Sequence, residues 1–226
     1  MEYLADSAKP GLRDRKKARR RDEIIAAARE LFAAQGIDAT TMADIAAAAE
    51  VSAPTLFNYF GSKDGILIAM ISEGTREARE RDRGQQWQDG ADLVSLVVAL
   101  FLRVSSRTLD VAGKRVWRHA EAAAIRQPDT ALSREYRNVS DALKMFLAGF
   151  LSELDLQTRA GRDCPPEFLA ELLIDRWMPC FIQLITSEER TLAEHEAVLQ
   201  AQFAPLIRLL FTDACVDHPR RKESRA

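Results

Sequence analysis

An all-α fold follows from three features of this 226-residue chain. Apolar residues recur at every third or fourth position rather than every second one. Glycine and proline are sparse, at 10 and 8. Helix-capping residues stand where the apolar runs begin. No segment alternates as a half-buried strand would, and roughly eight to ten helices are expected on this pattern.

The first helix is expected over residues 22–35, with Ile24, Ile25, Ala28, Leu31 and Phe32 on one face and Gly36 as its stop. Thr41 caps a short second helix, and Asp44 three residues on completes a box-like cap. Ser52 caps a third, in which Pro54 sits in the first turn and costs no helical hydrogen bond. It ends near Phe60 and Gly61, and Ser62 caps a fourth helix running to about Arg83. Longer amphipathic helices follow Gly90. Leu93, Val97, Leu100 and Val104 make one stripe; Val116, Ala120 and Ala123 make a shorter one, stopped by Pro128. Leu132, Tyr136, Val139, Leu143, Phe146, Phe150 and Leu154 step along a long helix. Pro165 and Pro166 open the next, which carries Phe168, Leu172, Trp177, Phe181 and Leu184, with a bend expected at Pro179. Thr191, with Glu194 at the box position, caps a last helix carrying Leu192, Val198, Leu199, Leu206 and Leu210. The polar tail from Asp217 is expected to fray.

Apolar residues make up 47% and charged residues 29%, the composition of a soluble globular chain. The longest apolar stretch, residues 93–102, is well short of the ~20 residues that cross a bilayer. No secretory signal is expected, because the basic N-terminus has no apolar core behind it, and the chain is expected in the cytoplasm. Cys164, Cys180 and Cys215 are odd in number and widely spaced, as reduced thiols rather than a disulfide framework would be. They form no ligand-spaced set with His119, His195 and His218, so no metal and no cofactor is expected.

The net charge of −2 hides an asymmetry. Eight basic residues and one acid lie between Lys9 and Arg21, a local +7, which leaves −9 on the rest. Such an arm suits a polyanionic partner.

Residues 41–60 read TMADIAAAAEVSAPTLFNYF. Two short helices joined by a tight turn describe a helix-turn-helix, whose second helix lies in the DNA major groove. Ala46 to Ala49 let the helices cross closely, and Ile45, Val51 and Leu56 fill the space between them. The start of the second helix offers backbone N–H groups to a phosphate. Thr55, Phe57, Asn58 and Tyr59 point outward, and Lys63 is placed to meet a phosphate as well.

The stretch Thr41-x3-Ile45-Ala46-x3-Glu50-Val51-Ser52-x2-Thr55-Leu56-Phe57-x-Tyr59-Phe60-x2-Lys63 resembles the DNA-binding region of the TetR (tetracycline-repressor) family of bacterial transcriptional regulators, over about residues 20–70. The resemblance implies a three-helix DNA-binding domain, a larger helical domain that binds an effector, and a homodimer formed mainly by the last two long helices. It implies that Thr41 and Ser52 are caps that also touch phosphates, and that Thr55 and Asn58 read bases or backbone. Phe57 and Tyr59 then pack on the DNA backbone, Lys63 binds phosphate, and Arg19, Arg20 and Arg21 add electrostatic attraction. The chain departs from the family at four places. Glu50 stands where the turn usually has glycine, which alone takes positive φ freely. Ala53 and Pro54 replace residues that are often Lys or Arg and Gly, and Phe57 lacks the commoner tyrosine hydroxyl.

The expected organisation is a flexible basic arm (1–18), the helix-turn-helix domain (19–62), an effector-binding and dimerisation domain (63–216) and a flexible tail (217–226). Within the larger domain, Trp117, Arg118, His119, Tyr136, Trp177, Met178 and Phe181 are candidates for an effector pocket, with Arg118 and His119 orienting the ligand. Leu172, Trp177, Leu199, Leu206 and Phe211 are candidates for a dimer seam, some of which must face their own core. The function expected is a DNA-binding regulator, a repressor released from a pseudo-palindromic double-stranded operator by a small-molecule effector. An effector-independent regulator and an all-α enzyme are the alternatives. The enzyme is disfavoured by the absence of H-E-x-x-H, G-x-S-x-G, P-loop and dinucleotide-binding motifs.

Overall fold

The first helix, α1 (Leu12–Gln35), begins ten residues before its expected start and takes the basic arm into its first turns. Between Leu12 and Asp22 the chain has only Arg, Lys, Ala, Asp and Leu, mostly strong helix formers. Glu23 pairs with Arg19 at 3.5 Å and Arg20 at 3.1 Å, one helical turn away. The arm is therefore helical from Leu12. This computed structural model describes residues 11–82 and 90–222; Lys9 and the expected helix end at Arg83 lie outside them.

Eight more helices follow among the described residues: α2 (Met42–Ala48), α3 (Ala53–Phe60), α4 (Lys63–Asp82), α5 (Leu93–Arg126), α6 (Ala131–Ser152), α7 (Pro166–Thr186), α8 (Leu192–Leu210) and α9 (Asp213–Asp217). The described residues contain no strand, only two isolated bridges. No helix among them is long and apolar enough to cross a membrane.

The chain divides into two compact units, Met1–Ala69 and Met70–Ala226. In the first, Ile24, Ala28 and Phe32 of α1 pack with Ile45 of α2, Leu56 of α3 and Ile66 of α4, all fully buried. In the second, α5 packs against α6, α7 and α8. Its centre is a run of stacked rings: Phe203 on Phe101 at 5.0 Å, Phe101 on Trp177 at 5.6 Å, Trp177 on Phe181 at 4.9 Å.

Three features differ from expectation. The stripes at 93–104 and 116–123 are two arms of one 34-residue helix, broken at Gly113, whose φ of 68° and ψ of 169° lie outside helical space. Helix α9 is a short element capped by Thr212, and it buries Cys215 and Val216. The tail expected to fray from Asp217 is instead held as far as Lys222. Asp155 N–H donates to Arg220 O at 2.9 Å and Lys222 N–H to Glu153 O at 2.8 Å. Helix α7 continues through Pro179 to Thr186.

Candidate nucleic-acid interface

Local chemistry sets the ends of α2 and α3. Thr41 Oγ1 accepts from the Asp44 N–H at 3.1 Å, and the Asp44 carboxylate accepts from the Thr41 N–H at 2.9 Å. The hydrogen bonds from Thr41 hold the Asp44 carboxyl below the usual carboxylate range. Ser52 Oγ accepts from the Thr55 N–H at 3.3 Å and lies 2.7 Å from the Thr55 hydroxyl. Between the helices the turn closes through Val51 N–H to Ala46 O at 2.9 Å. Glu50 takes φ of 52° there, and among the described residues it is the only non-glycine with positive φ.

Helix α3 turns one residue inward and the rest outward. Leu56 is fully buried; Thr55, Tyr59 and Phe60 are half-buried; Ser52, Ala53, Pro54, Phe57 and Asn58 are exposed. Phe57, a large ring half open to solvent, is the apolar feature of this face. Residues 52, 55, 57, 58 and 59 thus share an accessible helix, as a groove-reading element requires. The N-terminus of α3 is a thin anion site, since Pro54 has no N–H and Ser52 occupies that of Thr55. Attraction for phosphate must come from side chains.

Two of the expected cations join separate elements of this unit. Lys63 Nζ donates to the carbonyls of Ile37 at 2.6 Å and Thr40 at 3.0 Å, pinning the α1–α2 loop to the start of α4. An ammonium has three donors, so one remains for a phosphate. The Arg21 guanidinium lies 5.3 Å from the centre of the Phe60 ring, a cation–π contact that ties α1 to the end of α3. Phe60 lies half-buried beneath it. Arg19 and Arg20 remain on the exposed face of α1, paired with Glu23. Gly65 closes the unit tightly: a β-carbon there would lie 1.9 Å from the Phe60 carbonyl oxygen.

In the second unit a cavity of about 100 Å³ opens among α4, α5, α6 and α7. Trp117, Tyr136, Trp177, Met178 and Phe181 line it. Arg118 and His119 do not. Arg118 turns away to the α7–α8 loop, where it donates to Glu188 at 2.7 Å, and this bond holds the Glu188 carboxyl below its ordinary range. The loop is also fastened by Lys114 Nζ, which donates to the carbonyls of Ser187, Glu188 and Arg190. Missed from the sequence were Val104, Val139, Leu143 and Phe146, which belong to stripes read as ordinary core, and Arg107. Its signal was available, since Arg107 stands at a stripe position between Val104 and Val111.

The dimer-seam candidates also divide. Trp177, Leu199 and Phe211 are buried within their own subunit and offer no surface. Leu172 and Leu206 stay half-exposed. Phe168 on α7 and Leu209 on α8, 59% and 73% exposed, are the larger open apolar side chains of those two helices.

Residues 24–70 match the family model of bacterial regulatory proteins, tetR family. Over these residues the chain is similar to the tetR family. A curated relative, the HTH-type transcriptional regulator TcmR of Streptomyces glaucescens, is 49% identical over 63 residues, which span 28% of this chain and 28% of TcmR. The matched stretch is thus less than a third of the length of TcmR. Beyond it, solved structures share the fold. A tetR-family regulator from Mesorhizobium loti is 20% identical, with a TM-score of 0.63 over 87% of this chain and 99% of the other. FadR of Bacillus subtilis, solved with stearoyl-CoA, is 16% identical, with a TM-score of 0.58 over 83% and 98%. The matched residues take in α1 from Ile24 onward, α2, α3 and the start of α4, which carry the accessible residues above apart from Arg19, Arg20 and Arg21.

Proposed function

We propose that this protein is a ligand-responsive, DNA-binding transcriptional regulator, a homodimer that represses until a small molecule releases it from a pseudo-palindromic operator. The observation that carries the reading is α3: one buried leucine, and Ser52, Thr55, Phe57, Asn58 and Tyr59 accessible on its outer side, within a segment that matches the tetR-family model. Thr55 and Asn58 read bases or backbone, Thr41 and Ser52 meet phosphates beside their capping roles, and Phe57 and Tyr59 pack on the sugar-phosphate wall. Arg19, Arg20, Arg21 and Lys63 supply the charge.

The half-exposed Leu172 and Leu206, with Phe168 and Leu209, support a seam between two subunits through α7 and α8. Paired subunits would set two recognition helices about 34–36 Å apart, one turn of duplex. The aromatic cavity is the effector site in this reading, with Trp117, Tyr136, Trp177 and Phe181 around the ligand. A regulator of the same fold, FadR, was solved with stearoyl-CoA, which supports a small-molecule ligand for this chain. The effector must bind the free and DNA-bound forms with different affinity, or it could shift nothing.

The test is binding of the purified full chain to the DNA upstream of its gene and its neighbours, followed by anisotropy at low salt. A single inverted repeat bound by a dimer is expected. If no such segment is bound better than random DNA, the regulator reading is wrong.

A further inference from the structure

The eight residues of α3, APTLFNYF, include no arginine, lysine, glutamine or carboxylate. In the major groove guanine is read chiefly by Arg or Lys and cytosine by Asp or Glu. Helix α3 supplies neither kind of reader. Its exposed residues are Ala53, Pro54, Phe57 and Asn58, three of them apolar.

Geometry decides which of these stand foremost. A helix turns by about 100° per residue, so Pro54 and Asn58, two positions before and after the buried Leu56, lie about 200° round from it. Four residues apart, they stack along one line at the centre of the outward face. Phe57 lies to one side of that line and the half-buried Thr55 to the other. The Ser52 and Thr55 hydroxyls are bonded to each other at 2.7 Å, and Ser52 Oγ also accepts from the Thr55 N–H, which commits both to the cap. Asn58 is thus the one exposed side chain of α3 with both a donor and an acceptor.

An amide sets N–H donors beside a carbonyl oxygen. Adenine presents the complementary pair, N7 as acceptor beside the N6 amino donor, whereas guanine presents two acceptors, N7 and O6, and would leave the amide oxygen unmatched. Pro54 carries an apolar ring and no N–H, so the groove feature it can meet is the C5 methyl of thymine.

We propose that α3 reads A·T pairs: in each half-site Asn58 holds an adenine through N7 and N6, and Pro54 rests on the methyl of a neighbouring thymine. The proposal rests on the reading of α3 as the groove-reading helix and names the bases it reads.

Selection from a random-sequence duplex pool by the full chain supplies the probe, and anisotropy then follows single-atom changes in the selected site. 7-Deazaadenine, which lacks N7, is expected to weaken binding about fivefold or more at one position per half-site in wild type, and less than about twofold in Asn58→Ala. Deoxyuridine in place of thymidine removes only the methyl. It should weaken binding about threefold at a neighbouring position, an effect that Pro54→Gly removes. Circular dichroism reports whether each variant folds; should one not fold, the wild-type scan decides. Indifference to 7-deazaadenine at every adenine, or a loss undiminished in Asn58→Ala, overturns the Asn58 assignment. Indifference to deoxyuridine, or a loss undiminished in Pro54→Gly, overturns that of Pro54. Either result leaves the regulator reading standing, whereas selection of no sequence over random DNA overturns both.

Discussion

Glu50 holds a conformation that costs a side-chain-bearing residue roughly 1–2 kcal/mol, at φ of 52° in the turn that joins α2 to α3. Glycine relieves that strain but gains roughly 0.4–1 kcal/mol of unfolded-state freedom in exchange. Glu50→Gly is therefore expected to raise stability by about 0.5–1 kcal/mol, measured by urea denaturation. A second isolated group is His195, with no solvent exposure, bonded through Nε2 to Ser105 at 2.9 Å and with no partner at Nδ1. Trp177 can only donate, so Ser105 accepts from it at 3.0 Å while also meeting the imidazole. Burial, helped by the Arg190 charge, lowers the His195 pKa from about 6.5 to about 4. The folded state thus refuses a proton that the unfolded chain accepts. The associated stability is complete above pH 6.5 and is lost as pH falls from about 6.5 to about 4, at a cost on the order of 3 kcal/mol. His195→Gln is expected to flatten the unfolding free energy across that window.

Helix ends and crossings explain why the interface has its shape. Both short helices open on side-chain caps, so α2 and α3 stop and start within a four-residue turn rather than fusing. At the other end of α3 the chain passes so close to α4 that only glycine fits at position 65. Gly65→Ala must displace the Phe60 carbonyl, and with it the ring that Arg21 covers. It is expected to destabilise by about 1–3 kcal/mol and to weaken operator binding more than tenfold, read by denaturation and by anisotropy. In α5 the break at Gly113 lets Trp117 reach back to the Thr108 carbonyl, joining the two arms across the cavity. The motif that sets this up spans only a few residues and still was not legible from periodicity, because each arm keeps its own helical stripe.

In the proposed regulator, assembly and charge set the behaviour on DNA. Each cation that meets a phosphate contributes close to one unit to the slope of log affinity against log salt. Arg20→Ala and Lys63→Ala are each expected to lower that slope by about one per subunit. Only Lys63→Ala should also cost stability, about 1–2 kcal/mol, because it strips a charged donor from the Ile37 and Thr40 carbonyls. A slope unchanged in Lys63→Ala would confine that lysine to the loop. If the proposed seam is right, Phe168→Glu together with Leu209→Glu is expected to give monomers in sedimentation with the fold intact, since both side chains are exposed and support no core.

Helix type, the caps at Thr41, Ser52 and Thr191 and the helix-turn-helix itself were all legible in the chain. Each depends on residues within about one turn of one another, where propensity and capping chemistry act. The partners of Lys63 lie 26 and 23 residues away, and Arg118 finds Glu188 70 residues on. No local pattern encodes such meetings. An apolar stripe likewise states that a face is covered and not by what: Trp177 was assigned to both pocket and seam, and it lines the cavity while stacking in its own core. Spacing along a helix is a property of the chain, whereas the identity of the surface opposite is a property of packing between helices distant in sequence. The chain could therefore name its helices and its DNA-reading motif, and only the folded arrangement could sort its aromatic residues among cavity, core and surface.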